Sequence, residues 1–173
     1  IYSRTPALMA MTAAGVDALS EGRCMLGLGA SGPQVIEGFH GVPYNAPITR
    51  MREIVEICRE IWLRENKLDY QGKKYKIPLP ADQGTGLGKA LKIINHTYRE
   101  EIPIALATLG EKSVEMTAEI ADAWLPAFFM AEGADAVWGD ALRRGNAKRD
   151  PGRPPLEVYA GGAVAVGEGL ESY

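Results

Sequence analysis

Cysteine, histidine and phenylalanine are scarce in this chain, and no sign of charge dominates it. Two cysteines and two histidines occur among 173 residues. Cys24 and Cys58 have no Cys-x-x-Cys spacing and fall in a strand pattern and a helix pattern, so they read as buried, reduced thiols. His96 has no metal-ligand partner nearby, and no metal site is expected. A net charge of -3 leaves no basic footprint for nucleic acid or for an acidic membrane surface. No stretch approaches the roughly 18 apolar residues of a membrane span. The opening residues, Ile1-Tyr2-Ser3-Arg4, lack a signal-peptide layout. A cytoplasmic protein is expected.

Glycine is abundant instead, and it concentrates where a strand runs out. Cys24, Met25, Leu26 and Leu28 form a short apolar run, and Gly29, Ala30, Ser31 and Gly32 follow with almost no side chains. Such a loop leaves backbone N–H groups open toward a polar or anionic group. Gly27, Gly29 and Gly32 also match G-x-G-x-x-G. That fingerprint needs a helix straight after the third glycine and an acidic residue about 20 positions on, at a strand end. Here Pro33 follows, Gly38, Gly41 and Pro43 break the chain again, and Glu53 lies inside a helical pattern. The competing reading is one βα unit of a (β/α)8 barrel, with this loop at the catalytic face. The context favours it.

The flanking patterns agree with alternating helices and strands. Thr5-Pro6 reads as an N-cap and first helical residue, with Leu8, Met9, Ala13, Val16 and Leu19 as the apolar side and Gly22 as the stop. The alanines at 7, 10, 13 and 14 suggest close packing. Met51, Ile54, Ile57, Cys58, Ile61 and Trp62 predict a helix over 49–64. Its wet face carries Arg52–Glu56 and Glu60–Arg64 at helical spacing. Leu68, Tyr70, Tyr75 and Ile77 predict a hairpin about Gly72. The segment 78–99 reads as an irregular insertion. Its Gly84-Thr85-Gly86-Leu87-Gly88-Lys89 fails as a phosphate loop, because Gln83 and Ala90 occupy required glycine and hydroxyl positions. Strand 102–107, helix 111–121 and strand 122–126 form a βαβ unit, hence a parallel sheet. A helix containing Ala134, Val137, Trp138, Ala141 and Leu142 follows, with Arg143, Arg144, Lys148 and Arg149 suited to its C-terminal dipole. A last strand is expected over 156–166, with Val158, Ala160, Val164 and Val166 as its apolar members.

Several words are those of a known family. The run from Ala18 to Arg23, followed by Leu26-Gly27-Leu28-Gly29, resembles the junction of the third helix and fourth strand in bacterial luciferase-like flavin monooxygenases. The run from Ala30 to Gly41 looks most like one branch, the deazaflavin (coenzyme F420)-dependent oxidoreductases. Tyr70-x-Gly72-x-x-Tyr75 resembles the family's insertion after its fourth helix. The words from Ile102 to Lys112 and from Ala118 to Pro126 resemble its fifth strand, fifth helix and sixth strand, with Ala123 where glycine is frequent.

The resemblance implies an α/β fold, a partial (β/α)8 TIM barrel running from about the third helix to the seventh strand. It implies a single domain, 1–173, incomplete at both ends and inactive alone, in a protein that is a homo-oligomer when whole. Some of Met25, Leu26 and Leu28 would face the barrel interior, and that uncovered apolar face would drive association. The implied activity is hydride transfer between F420 and an organic substrate, at a deazaflavin carbon that the cofactor itself supplies. FMN-dependent monooxygenation on the same fold is the alternative, and a non-catalytic flavin-binding or interaction protein is the alternative of another class. Gly29, Ala30, Ser31, Gly32 and Gln34 would line the ring side of the cofactor pocket. Ala107, Thr108, Leu109 and Gly110 would offer backbone N–H groups to the cofactor. Phe128 and Phe129 would reach the mouth as substrate contacts or pack beneath its rim. His40 is a candidate proton donor or cofactor contact. The plainer alternative is a surface-loop histidine, since no acid or nucleophile is spaced to partner it.

Overall fold

A computed structural model describes residues 1–161 and 166–167. Its elements in order are α1 (Pro6–Leu19), β1 (Leu26–Gly29), α2 (Pro33–Gly38), α3 (Pro47–Leu63), β2 (Tyr70–Gln71), β3 (Lys76–Ile77), β4 (Ile104–Ala107), α4 (Glu111–Ile120), β5 (Ala123–Trp124), α5 (Ala131–Lys148) and β6 (Glu157–Val158), with a short 3-10 turn at Ala81–Gln83. The main sheet has the order β1-β4-β5-β6 and is parallel throughout, while β2 and β3 form a separate antiparallel hairpin. Parallel neighbours joined through helices are the βα units that the alternating patterns predict. Of the expected last strand, Glu157 and Val158 pair with β5, and Val164 lies outside the described residues.

Strand register decides which side chains meet the helices. Leu26 pairs with Ile104, and Leu28 with Leu106, which pairs in turn with Trp124. Leu28, Ile104 and Leu106 are buried against α1 and α3 in the main core. The other face carries Gly27, Ala105 and Ala123 in one row, and Gly29 and Ala107 in the next. Of Met25, Leu26 and Leu28, some of which were expected to face the barrel interior, Leu26 and Leu28 therefore lie on the helix-covered face. Side chains alternate along a strand, so only Met25 of the three shares the face of Gly27.

The α1 stripe is also not the one read from its bulky residues. Leu8, Val16 and Leu19 are exposed, whereas Met9, Ala10, Ala13 and Ala14 are buried. The small face lets α3 approach closely enough for the Trp62 indole Nε1 to donate to the Ala10 carbonyl at 2.9 Å. Burial pushes the Cys58 thiol up to about 12, so it stays a protonated, packed group. The α3 stripe is as read: Met51, Ile54, Ile57, Cys58, Ile61 and Trp62 are all buried. Its charges, however, pair across elements and not along the helix. Arg52 bonds Glu119 on α4, Arg64 donates to the Ile93 carbonyl, and Glu56 accepts from the Tyr70 hydroxyl. Glu53 is buried and accepts from the backbone N–H groups of Lys73, Lys74 and Tyr75, which fixes the β2–β3 turn.

One buried carboxylate ties three segments together. Asp17, fully buried near the end of α1, accepts from Arg99 Nε at 3.1 Å and from the Cys24 N–H at 3.3 Å. Arg99 also donates to the Cys24 carbonyl at 2.6 Å, which joins the irregular insertion to the start of β1. Breaking a buried pair costs about 3–5 kcal/mol. Arg99 keeps access to water, with 31% of its side chain exposed, which lowers that figure. Asp17→Ala is expected to cost about 2–3 kcal/mol in urea unfolding, and Asp17→Asn less, because it keeps an acceptor for Cys24. A loss under 0.5 kcal/mol for Asp17→Ala would rule out this tie.

Candidate functional site

The C-terminal ends of β1 and β4 open into a cleft of about 470 Å³. Two bare strand ends form its floor. Gly29, Ala30 and Ser31 line it from β1, and Ala107, Thr108 and Leu109 from β4. Pro47, Ile48 and Met51 of α3 and Ser113 and Met116 of α4 make its walls, with Tyr44, Leu125 and Ala127 at the rim. Barrel interiors are ordinarily filled by bulky branched side chains. Here the inward row is glycine and alanine, so the room left belongs to something other than this sheet's side chains.

Local chemistry holds both loops. Ser31 has a left-handed backbone (φ +57°), and its carbonyl accepts from the Tyr44 hydroxyl at 3.1 Å. Tyr44 N–H in turn donates to Glu37 at 2.9 Å, so α2 and the following loop brace the β1 loop. On the β4 side, the Thr108 hydroxyl lies 2.8 Å from that of Thr117, which donates to the Ser113 carbonyl. That proton order leaves Thr108 as donor to Thr117, since each hydroxyl has one proton to give. The indole Nε1 of Trp124 donates to Thr108 O and that of Trp138 to Leu109 O, each at 2.9 Å.

Among the described residues the lining holds no carboxylate, imidazole, amine or guanidinium, and its one titratable side chain is the Tyr44 phenol. Such a surface can bind and exclude water, and it needs a bound group to do redox chemistry. Among the described residues no cluster of His, Cys, Asp and Glu is arranged to hold a metal ion.

Of the residues named from sequence, Gly29, Ala30, Ser31, Ala107, Thr108 and Leu109 line the cleft together, and Gly32, Gln34 and Gly110 do not. Pro33 is the reason for the first two. It opens α2 as its first helical residue instead of breaking the chain, and Gly32 becomes the N-cap. Gln34 then lies exposed on that helix. The helix spans six residues and no strand follows it before α3, so the dinucleotide layout is still not met. His40 is exposed, packs edge-on against Phe39 with centroids 5.3 Å apart, and lies outside the lining. Phe128 is 91% exposed and also outside it. Phe129 stacks on Trp138 at 6.1 Å and meets Trp124 edge-on, away from the lining. Of the cations near the end of α5, Arg143 pairs with Asp135 and Asp140 of its own helix, while Arg144, Lys148 and Arg149 reach α4. Arg144 pairs with Glu111 and Glu115, and Arg149 donates to the carbonyls of Ala118 and Ala121 at the close of α4.

Sequence reasoning missed Met51 and Met116 as walls and the two tryptophans as loop anchors. Met51 and Trp138 were legible as members of apolar helix stripes, but nothing in periodicity marks which core residues also border a cleft or reach a loop.

Comparison with known proteins adds a lineage to this geometry. Residues 1–173 match the model of the luciferase-like monooxygenase family. A Mycobacterium tuberculosis protein named for coenzyme F420-dependent oxidoreduction is 43% identical over 169 residues, which cover 96% of this chain and 48% of that protein. The 5,10-methylenetetrahydromethanopterin reductase of Archaeoglobus fulgidus is 33% identical over 122 residues, covering 70% of this chain and 32% of the reductase. Among solved structures, the coenzyme F420-dependent tetrahydromethanopterin reductase of Methanopyrus kandleri superposes with a TM-score of 0.69 at 23% identity, over 92% of this chain and 46% of that one. The chain thus spans half or less of the length of these relatives.

Proposed function

The chain belongs to the luciferase-like monooxygenase family, and from that premise we propose that it forms part of an F420-dependent oxidoreductase acting on a small organic substrate. The single observation that carries the reading is the bare cleft at the C-terminal strand ends, where Gly29 and Ala107 leave space for a flat ring system. Catalytic sites of barrels of this type lie at that face. The F420-dependent character of the Mycobacterium tuberculosis relative supports the deazaflavin over FMN.

The residues fit such a group in kind. Met51, Met116 and Ile48 give apolar walls, and the 29–31 and 107–109 loops give backbone polar groups. When bound, the deazaflavin would supply the hydride chemistry. The chain's own contribution is to bind and orient the ring and keep water from it. Among the described residues the lining's one titratable group is the Tyr44 phenol, whose proton is given to the Ser31 carbonyl, so any proton transfer belongs to groups outside these residues.

The test uses the whole protein. F420 titration followed by cofactor fluorescence is expected to give saturable binding, and reduced F420 to be consumed only with substrate present. Activity that needs reduced FMN and O2, with no F420 binding, would transfer the reading to a monooxygenase. Stoichiometric cofactor binding without turnover on any hydride donor would favour a binding protein.

A further inference from the structure

We propose that Trp124 and Trp138 are positioning residues that hold the β4 loop with two backbone N–H donors, those of Leu109 and Gly110, turned to the cleft side. The inference deepens the cofactor reading and rests on it for the identity of the ligand.

The argument starts from peptide geometry. In a trans peptide the carbonyl of one residue and the N–H of the next point in opposite directions. The Trp124 indole fixes the carbonyl of Thr108, and the Trp138 indole fixes that of Leu109. These are consecutive peptides, held from one side. Trp124 is fully buried and packs with Val114 and Ala141, between the sheet and helices α4 and α5. Thr108 and Leu109 also border the cleft, whose other lining comes from β1, α3, the first turns of α4 and the segment after β5. With both carbonyls drawn toward the indoles, the N–H groups of Leu109 and Gly110 face the opposite way. Among the described residues neither N–H has an acceptor.

The two indoles are themselves locked. Their rings meet edge-on with centroids 5.2 Å apart, and Phe129 stacks parallel to Trp138 with an interplanar angle of 4°. A lone anchor would leave one peptide free to rotate. Two anchors on successive carbonyls define both donors, and the aromatic packing sets the anchors before ligand arrives. The chemistry that pairs with two parallel N–H groups is an oxygen acceptor, either a carbonyl or an oxyanion. Pre-orientation spares the ordering cost that a mobile loop would carry on binding.

The experiment compares whole wild-type protein with Trp138→Phe, which keeps a stacked ring and deletes the donor. A second variant carries 3-benzothienylalanine at position 138, which keeps the bicyclic shape and replaces the N–H by sulfur. Both are expected to weaken F420 binding about 3- to 10-fold, the equivalent of one neutral hydrogen bond, with the ligand-free melting temperature little changed. In ¹⁵N-labelled, ligand-free protein the Leu109 and Gly110 amide resonances are expected to shift or broaden, while amides of α1 stay in place. Unmoved Leu109 and Gly110 amides would overturn the proposal, and so would moved amides with F420 affinity equal to wild type. If the wild-type protein binds no F420, the cofactor reading falls by itself, and the two amide resonances still decide whether the indoles set the loop.

Discussion

Gly145→Ala is expected to lower stability by about 2 kcal/mol and to loosen the β4 loop with it. Glycine to alanine inside a helix ordinarily helps by roughly 1 kcal/mol, so the sign here is reversed. A methyl group on Gly145 would collide with the Glu115 carbonyl oxygen and lie 2.6 Å from the Ala118 methyl, both on α4. The first of these is backbone and cannot rotate aside, so α4 and α5 must separate. Overpacking of this kind costs about 1–3 kcal/mol, and collision with a helix backbone belongs at the upper end. Since α4 carries Thr117, the separation also pulls on Thr108 at the cleft. Gly133→Ala is the control, because nothing lies within 4 Å of a methyl group there. Urea unfolding of both variants checks this. A Gly145→Ala protein as stable as Gly133→Ala would mean that the helices do not cross at Gly145 in this way.

Gly29→Val is expected to weaken F420 binding by about 10- to 100-fold while leaving the melting temperature within a few degrees of wild type. The glycine sits at the end of β1, opposite Ala107, and its missing Cβ would stand 3.4 Å from the Ala107 methyl. That contact is tight yet tolerable, and valine suits a strand. The two further methyl groups, however, would project into the cleft. A misfit of 1–3 kcal/mol from overpacking corresponds to the stated range of affinity. Gly29→Ala places one methyl against Ala107 and should have a smaller effect. Wild-type affinity in Gly29→Val, measured by F420 fluorescence, would move the ring site away from the β1 loop.

Much of the architecture was legible because it depends on near neighbours in the chain. Thr5 caps α1 by accepting from the Leu8 N–H, and Pro6 begins it, as the pair of residues predicts. The α3 stripe and the β4–α4–β5 unit follow from periodicity. The errors share a cause. Leu8, Val16 and Leu19 are apolar, yet the alanine face is the one that α3 covers, since a wide indole at Trp62 needs a small surface opposite. Arg52 and Glu56 have helical spacing, but Glu119 and Tyr70 outcompete that pairing with partners from other elements. Pro33 reads as a breaker and serves as a helix start, because proline is at home where no N–H is required.

What the sequence determined by itself, then, was the order of helices and strands apart from α2, the family likeness and the bare strand end at Gly29. Those rest on local sterics, capping and period, which act over a few residues. Tertiary structure alone decided which strand face looks inward, since a register shift of one residue exchanges the faces. It alone brought Gly29–Ser31 and Ala107–Leu109 to one cleft, set Met51 and Met116 as walls, and aimed two indoles at adjacent carbonyls. The Trp138 indole reaches the Leu109 carbonyl from 29 residues away, and only the packing of α5 on α4 sets that distance.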